Sequence, residues 1–176
     1  MSSGQTRWWP AVPDELSLTH YSDSPTLEPL AVLQLTQPAM KPRGLWVSVD
    51  GEDDWPAWCR TEQFRDTDAQ HRVRVRLADD ARILHLTDNA AIAQLSEDFG
   101  MDHLRGLWRK CGMAHKLHGP LYIDWAQVAC SWQGIIIAPY QWTSRRNVSW
   151  YYGWDCASRL HLGRGRDRHR LEVADA

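Results

Sequence analysis

Apolar and polar positions recur along the chain with two periods. A period of two predicts strands over 16–22 ("LSLTHYS") and 43–49 ("RGLWVSV"), the second closed by the turn dipeptide Asp50–Gly51. The stretch "HRVRVRLADDARILHL" (71–86) predicts two more, joined by Ala78–Ala81. Its first half sets Arg72, Arg74 and Arg76 on one face and Val73, Val75 and Leu77 on the other. The all-apolar "IIIAP" (135–139) predicts a short buried strand stopped by Pro139. The aromatic "VSWYYGWD" (148–155) and "SRLHL" (158–162) predict the last two strands.

A helical period separates them. Trp55, Trp58, Cys59 and Glu62 share a face, which predicts a helix from Trp55 to Phe64 capped by Asp53 or Asp54. Ile92, Leu95 and Phe99 follow the cap Asp88 and end at Gly100. Leu104, Leu107, Trp108 and Cys111 follow Asp102 and stop at Gly112. Asp124 and Gln127 form a D-x-x-Q capping box for a helix that Gly134 ends. Ser24 and Pro25 predict a short helix to about Leu33. Strands and helices do not alternate regularly, so the expected fold is α+β with a mixed or antiparallel sheet rather than a doubly wound one. The expected domain spans 16–162, between a loose lead-in (1–15) and a basic flexible tail (163–176) carrying Arg164, Arg166, Arg168 and Arg170.

Composition narrows the function classes. The chain has 176 residues, enough for one self-sufficient core. Twenty basic and 22 acidic residues leave a net charge of -2, which gives no global pull toward nucleic acid. The Arg72, Arg74, Arg76 row and the tail are the two features that speak for such a partner. No segment reaches the roughly 18 apolar residues of a membrane span, and the N-terminus lacks a secretory apolar run. With four cysteines and no C-x-x-C pair, the expectation is a cytoplasmic protein with reduced thiols. Eleven Trp against two Phe suggest rings that keep a polar edge at a pocket.

The common phosphate-loop, dinucleotide, nucleophile-elbow and metalloprotease motifs do not occur. Cys111, His115 and His118 have zinc-type donors but supply three ligands without a fourth, so no metal is expected. Three strand segments gather more: His20 and Tyr21 on the first, Trp46 and Ser48 on the second, and Gln141 and Asp155 near the late strands. Flat rings with an imidazole and a hydroxyl suit a cationic heterocycle and its sugar.

"LTHYSDSPTLEPL" followed by "KPRGLWVSV" and a Trp-bearing helix resembles the start of the ADP-ribosyltransferase superfamily, over about residues 16–158. The resemblance implies split mixed or antiparallel sheets with flanking helices and NAD, as substrate, in the cleft between the halves. It implies that His20 bonds the nicotinamide-side ribose and that the Tyr21 backbone meets the carboxamide. Trp46 or Tyr21 would stack on the ring, with Ser48 bracing the site. ADP-ribose would pass to an unknown acceptor or to water. The family's acid is expected near Ile136, where this chain has Ile135, Ile136 and Ile137. Asp155 and Gln141 are the candidate catalytic replacements, and a catalytically silent nucleotide- or protein-binding module of the same fold is the alternative. Of the Trp residues in 41–59, Trp55 and Trp58 are expected to seat the helix, and Trp46 to meet ligand.

Overall fold

The computed structural model describes residues 13, 16–25, 40–42, 44–68, 70–101 and 120–162. Among the described residues the fold is α+β, with a mixed six-stranded sheet and four helices. Strands β1 (Leu18–Ser22) and β2 (Leu45–Val49) precede α1 (Trp55–Glu62). Strands β3 (His71–Arg74) and β4 (Ile83–Leu86) then lead into α2 (Asn89–Phe99). A two-stranded pair, β5 (Gly100–Met101) and β6 (Tyr122–Ile123), precedes α3 (Trp125–Ser131). Strand β7 (Gly134–Ile137), α4 (Trp142–Asn147), a 3-10 turn (Trp150–Gly153) and β8 (Ser158–His161) complete the described fold.

The sheet order is β3-β1-β2-β8-β7-β4, and only β4 and β7 run parallel. Strand β8 is the middle of it, antiparallel to β2 on one side and to β7 on the other. The consecutive strands β3 and β4 lie on opposite edges, so Ala78–Ala81 is part of a crossing rather than a hairpin turn. The exposed edge β3 carries the basic side chains. Arg72 pairs with Asp68, and Arg74 Nη1 lies 2.7 Å from Asp50 Oδ2. Charge on an edge strand also blocks pairing with a second sheet.

The core is Ile135, Ile137, Leu84, Leu86 and Leu160 packed on a block of rings: Trp125, Trp150, Tyr151 and Trp154 are buried. Polar tips in this block find partners. Trp150 Nε1 donates to Ser96 Oγ at 2.8 Å, Tyr140 Oη donates to the Trp154 carbonyl, and Tyr151 Oη accepts from the Gln141 N–H. Trp154 Nε1 is the exception.

The capping acids act as the sequence predicts: Asp54, Asp88 and Asp124 accept from the N–H groups of Ala57, Ala91 and Gln127. Three expectations change. Residues 148–155 are not a strand. Trp150, Tyr151 and Trp154 are all buried, and neighbours 150 and 151 cannot both face one side of a sheet from one strand, so the segment winds into a 3-10 turn. Gly134 does not end α3, which stops at Ser131; it opens β7. Gly100 follows α2 in extended rather than left-handed conformation (φ -69°, ψ 139°). A Cβ there would lie 2.2 Å from the Ser96 carbonyl oxygen, so close packing is what requires glycine. The helices expected at 24–33 and 102–112, the zinc-type trio and the Arg-rich tail fall outside the described residues. No helix among the described residues is long and apolar enough to cross a membrane.

Candidate functional site

Strands β1 and β2 pair only at Leu18–Val49 and Thr19–Ser48. Beyond that point each keeps a different partner: β1 continues along β3 to Ser22, and β2 continues along β8 to Leu45. Their facing edges therefore diverge from the Thr19–Ser48 step. The His20 ring fills the place of a lost ladder bond, with Nδ1 2.7 Å from the Trp46 carbonyl oxygen. A side chain thus satisfies a backbone acceptor that would otherwise be left bare in the gap.

The divergence opens a cleft of about 270 Å³ lined by both strands and by the segments packed beside them. From β1 and the α1 side come His20, Tyr21, Trp55, Arg65 and Gln70; from the β2–β8 side come Lys41, Trp46, Ser48, Asp155, Cys156 and Ser158. Five of the six residues singled out from the sequence meet here. Gln141 does not. It is the N-cap of α4, and its amide donates to the carbonyls of Thr87 and Pro139. Asp155 lies in the loop before β8 rather than on a strand.

Each wall has a local cause. Ser48 Oγ accepts the Trp55 N–H at 2.8 Å and so fixes the start of α1 against β2. This turns Trp55 toward the cleft, where Nε1 donates to Gln70 Oε1 at 3.2 Å. Trp55 stacks on Trp58 at 5.2 Å, and Phe64 meets both edge-on. The buried contact of α1 is Cys59, while both Trp rings stay half-buried. Gln70 and Arg65 grip Asp23 just past β1, and these two contacts, Gln70 first, hold its carboxyl below the usual range. Asp50 collects Ser17 Oγ, Thr19 Oγ1 and Arg74 at 2.6–3.0 Å, tying the first three strands together.

The cleft's electrostatics centre on Lys41. Its Nζ lies 4.8 Å from the centroid of the Trp46 ring and 3.0 Å from Asp155 Oδ2. Arg145 reaches the other carboxylate oxygen at 3.7 Å. The Trp46 ring is held by Nε1 donating to the Pro42 carbonyl and by an edge-on contact with Trp154 at 4.6 Å. One aromatic face and one carboxylate therefore hold a cation, and that cation is the chain's own and exposed. Burial pushes the Tyr21 phenol and the Cys156 thiol up, the thiol to about 12, so both keep their protons at neutral pH.

Lys41, Arg65, Gln70, Cys156 and Ser158 carried no sequence signal for this site. Ser158 alone was within reach, because it faces Ser48 once "SRLHL" is paired with β2. A larger groove of about 860 Å³ runs beside the β3–β4 crossing, past Leu18, Asp79 and Ile83; it holds Arg74 and Arg76 of the basic row but none of the six residues singled out for NAD. Among the described residues no cluster of His, Cys, Asp and Glu has the makings of a metal site. Comparison with protein-family models, with curated proteins and with solved structures found no match.

Proposed function

We propose that the cleft binds the nicotinamide riboside half of NAD and that the chain is an ADP-ribosyltransferase-like protein. The observation that carries this reading is the parting of β1 from β2 at His20, which joins His20, Tyr21, Trp46, Ser48 and Asp155 around one opening. A pyridinium takes the position of the Lys41 ammonium, over Trp46 and beside Asp155; the exposed Lys41 side chain swings out toward the phosphates. The His20 imidazole and the Ser158 hydroxyl are the groups that meet the ribose hydroxyls. The cleft has room for a heterocycle and its sugar rather than for the whole dinucleotide, whose adenosine half extends along the rim.

In the reaction the bond between ribose C1′ and the pyridinium nitrogen breaks, and its electron pair leaves with neutral nicotinamide. The positive charge left on C1′ and the ring oxygen is stabilised by the Asp155 carboxylate. An acceptor hydroxyl, amine or water attacks C1′ and gives up its proton to Asp155 or to solvent. Calorimetric titration with NAD and a nicotinamide-release assay test this. The wild type should bind NAD. His20→Ala should weaken that binding, and Asp155→Asn should slow release by about 10²–10³ while leaving affinity within a few-fold. Absence of NAD affinity at millimolar concentration overturns the reading.

A catalytically silent binding module is the second reading, favoured by one observation. The position where the resemblance expects the family's acid is Ile136, wholly buried in β7, and Asp155 is already paired with Lys41 and Arg145. NAD binding without nicotinamide release from the wild type selects it.

A further inference from the structure

The large apolar side chains that stand exposed among the described residues are Phe64, Trp142 and Tyr152. Phe64 packs on the α1 rings beside the cleft. Trp142 and Tyr152 are 49% and 56% exposed and line no part of the cleft, yet both are tied to it through Asp155. Trp142 opens α4, and Tyr152 lies in the 3-10 turn that follows.

Contacts join the two rings into one surface. The Trp142 indole is fixed by Nε1 donating to Asp53 Oδ1 at 3.2 Å and by an edge-on contact with Tyr140 at 4.8 Å. Arg145 Nη1 donates to Tyr140 Oη at 3.0 Å, and its guanidinium lies over the Tyr152 ring, 5.5 Å from the centroid. The same guanidinium reaches Asp155 Oδ1 at 3.7 Å, while Lys41 takes Oδ2. One carboxylate therefore stands between the cleft and a strip that runs Trp142, Tyr140, Arg145, Tyr152.

The side chains around the rings are polar or cationic. Residues 142–153 include Thr143, Arg145, Arg146 and Asn147 and no acid, and Thr143, Arg146 and Asn147 are exposed. Asp53 and Asp155 are the acids that bond to the strip among the described residues. No exposed aliphatic side chain joins the rings into the continuous apolar centre that a protein partner calls for. Flat rings set apart among guanidinium, hydroxyl and amide groups suit unstacked bases joined by phosphates. The arginine over Tyr152 extends that platform.

We propose that this strip binds a single-stranded polynucleotide, with bases stacked on Trp142 and Tyr152 and phosphates beside Arg146. Binding itself does not depend on the NAD reading. One further step does rest on it: the strand, held beside Asp155, is the acceptor of the ADP-ribose. An amine of a base then attacks C1′, nicotinamide leaves with the electron pair of the broken bond, and the amine's proton passes to Asp155 or to solvent.

The test uses the full chain and the fluorescence anisotropy of labelled single strands of mixed sequence, as DNA and as RNA, at about 0.05 and 0.15 M salt. At least one of them should bind, and a preference for RNA reports contact with the 2′-hydroxyl. A duplex of the same sequence should bind more weakly, because its bases already stack on each other. Trp142→Ala and Tyr152→Ala should each weaken strand binding roughly tenfold. Arg146→Gln should lower the salt slope by about 0.7. Arg72→Gln, on the basic edge strand, should change neither. The proposal is overturned if neither strand binds at about 0.05 M salt. It is also overturned if both ring variants leave strand binding intact, which hands the strip to a protein partner, or if Trp142→Ala loses affinity for NAD, which gives the ring to the adenine. Strand binding by a wild type without NAD affinity overturns the cleft reading alone. A bound strand that gains no ADP-ribose while nicotinamide is released overturns the acceptor step alone.

Discussion

At the scale of single residues, the fold keeps several ionisable groups in their neutral forms. Burial raises Cys156 from 9 to about 12 and pushes Tyr140 and Tyr151 well above the ordinary phenol range. Between about pH 8 and 10 the unfolded chain releases these protons and the folded chain does not. The folded state then binds more protons than the unfolded, so stability falls as pH rises. Cys156 alone should contribute a loss on the order of 1 kcal/mol across that window. Urea unfolding at about pH 8 and about pH 10 checks it; equal midpoints would contradict the burial of these groups. His20 was legible at this scale because a short motif surrounds it. Asp50 and Lys41 were not, since each owes its position to partners 24 to 114 residues away.

At the scale of elements, the sequence shows what is local. Caps at Asp54, Asp88 and Asp124 are set within one turn, so an acid placed just before an apolar helical period is enough to find them. Strands with strict alternation, such as Thr19–Tyr21 and Trp46–Ser48, are equally plain. The 150–153 turn was hidden because Trp and Tyr have high strand propensity, while the buried ring cluster, a tertiary demand, chose the tighter winding. Gly100 shows the same limit: a glycine after a helix reads as a left-handed stop, yet here its φ suits any residue and space alone forbids a side chain. Gly100→Ala should therefore destabilise by about 1–3 kcal/mol through overpacking against the Ser96 carbonyl and Pro120. Chemical denaturation measures this; a neutral or stabilising outcome would show that the α2–β5 junction has room to relax.

At the scale of the whole molecule, strand order was not readable. The class, α+β with a mixed or antiparallel sheet, follows from counting elements, but the insertion of β8 between β2 and β7 rests on the pairing of β8 with β2, whose partners lie more than a hundred residues apart. Leu160 is wholly buried at that junction, opposite Trp46 and Ile135. Leu160→Ala should cost about 2–5 kcal/mol. Native-state hydrogen exchange should show protection falling in β2 and in β7 together. Loss confined to one of them would mean that the sheet is two independent halves.

The position of β8 also governs how the chain can assemble. Without it, β3-β1-β2 and β7-β4 share no strand pairing among the described residues, so a polypeptide emerging from the ribosome holds two unfinished ribbons until that strand is made. Both inner margins, the free sides of β2 and β7, stay open through that interval and invite pairing with another molecule. Synthesis that stalls just short of Ser158 should leave a sticky fragment rather than a smaller folded one.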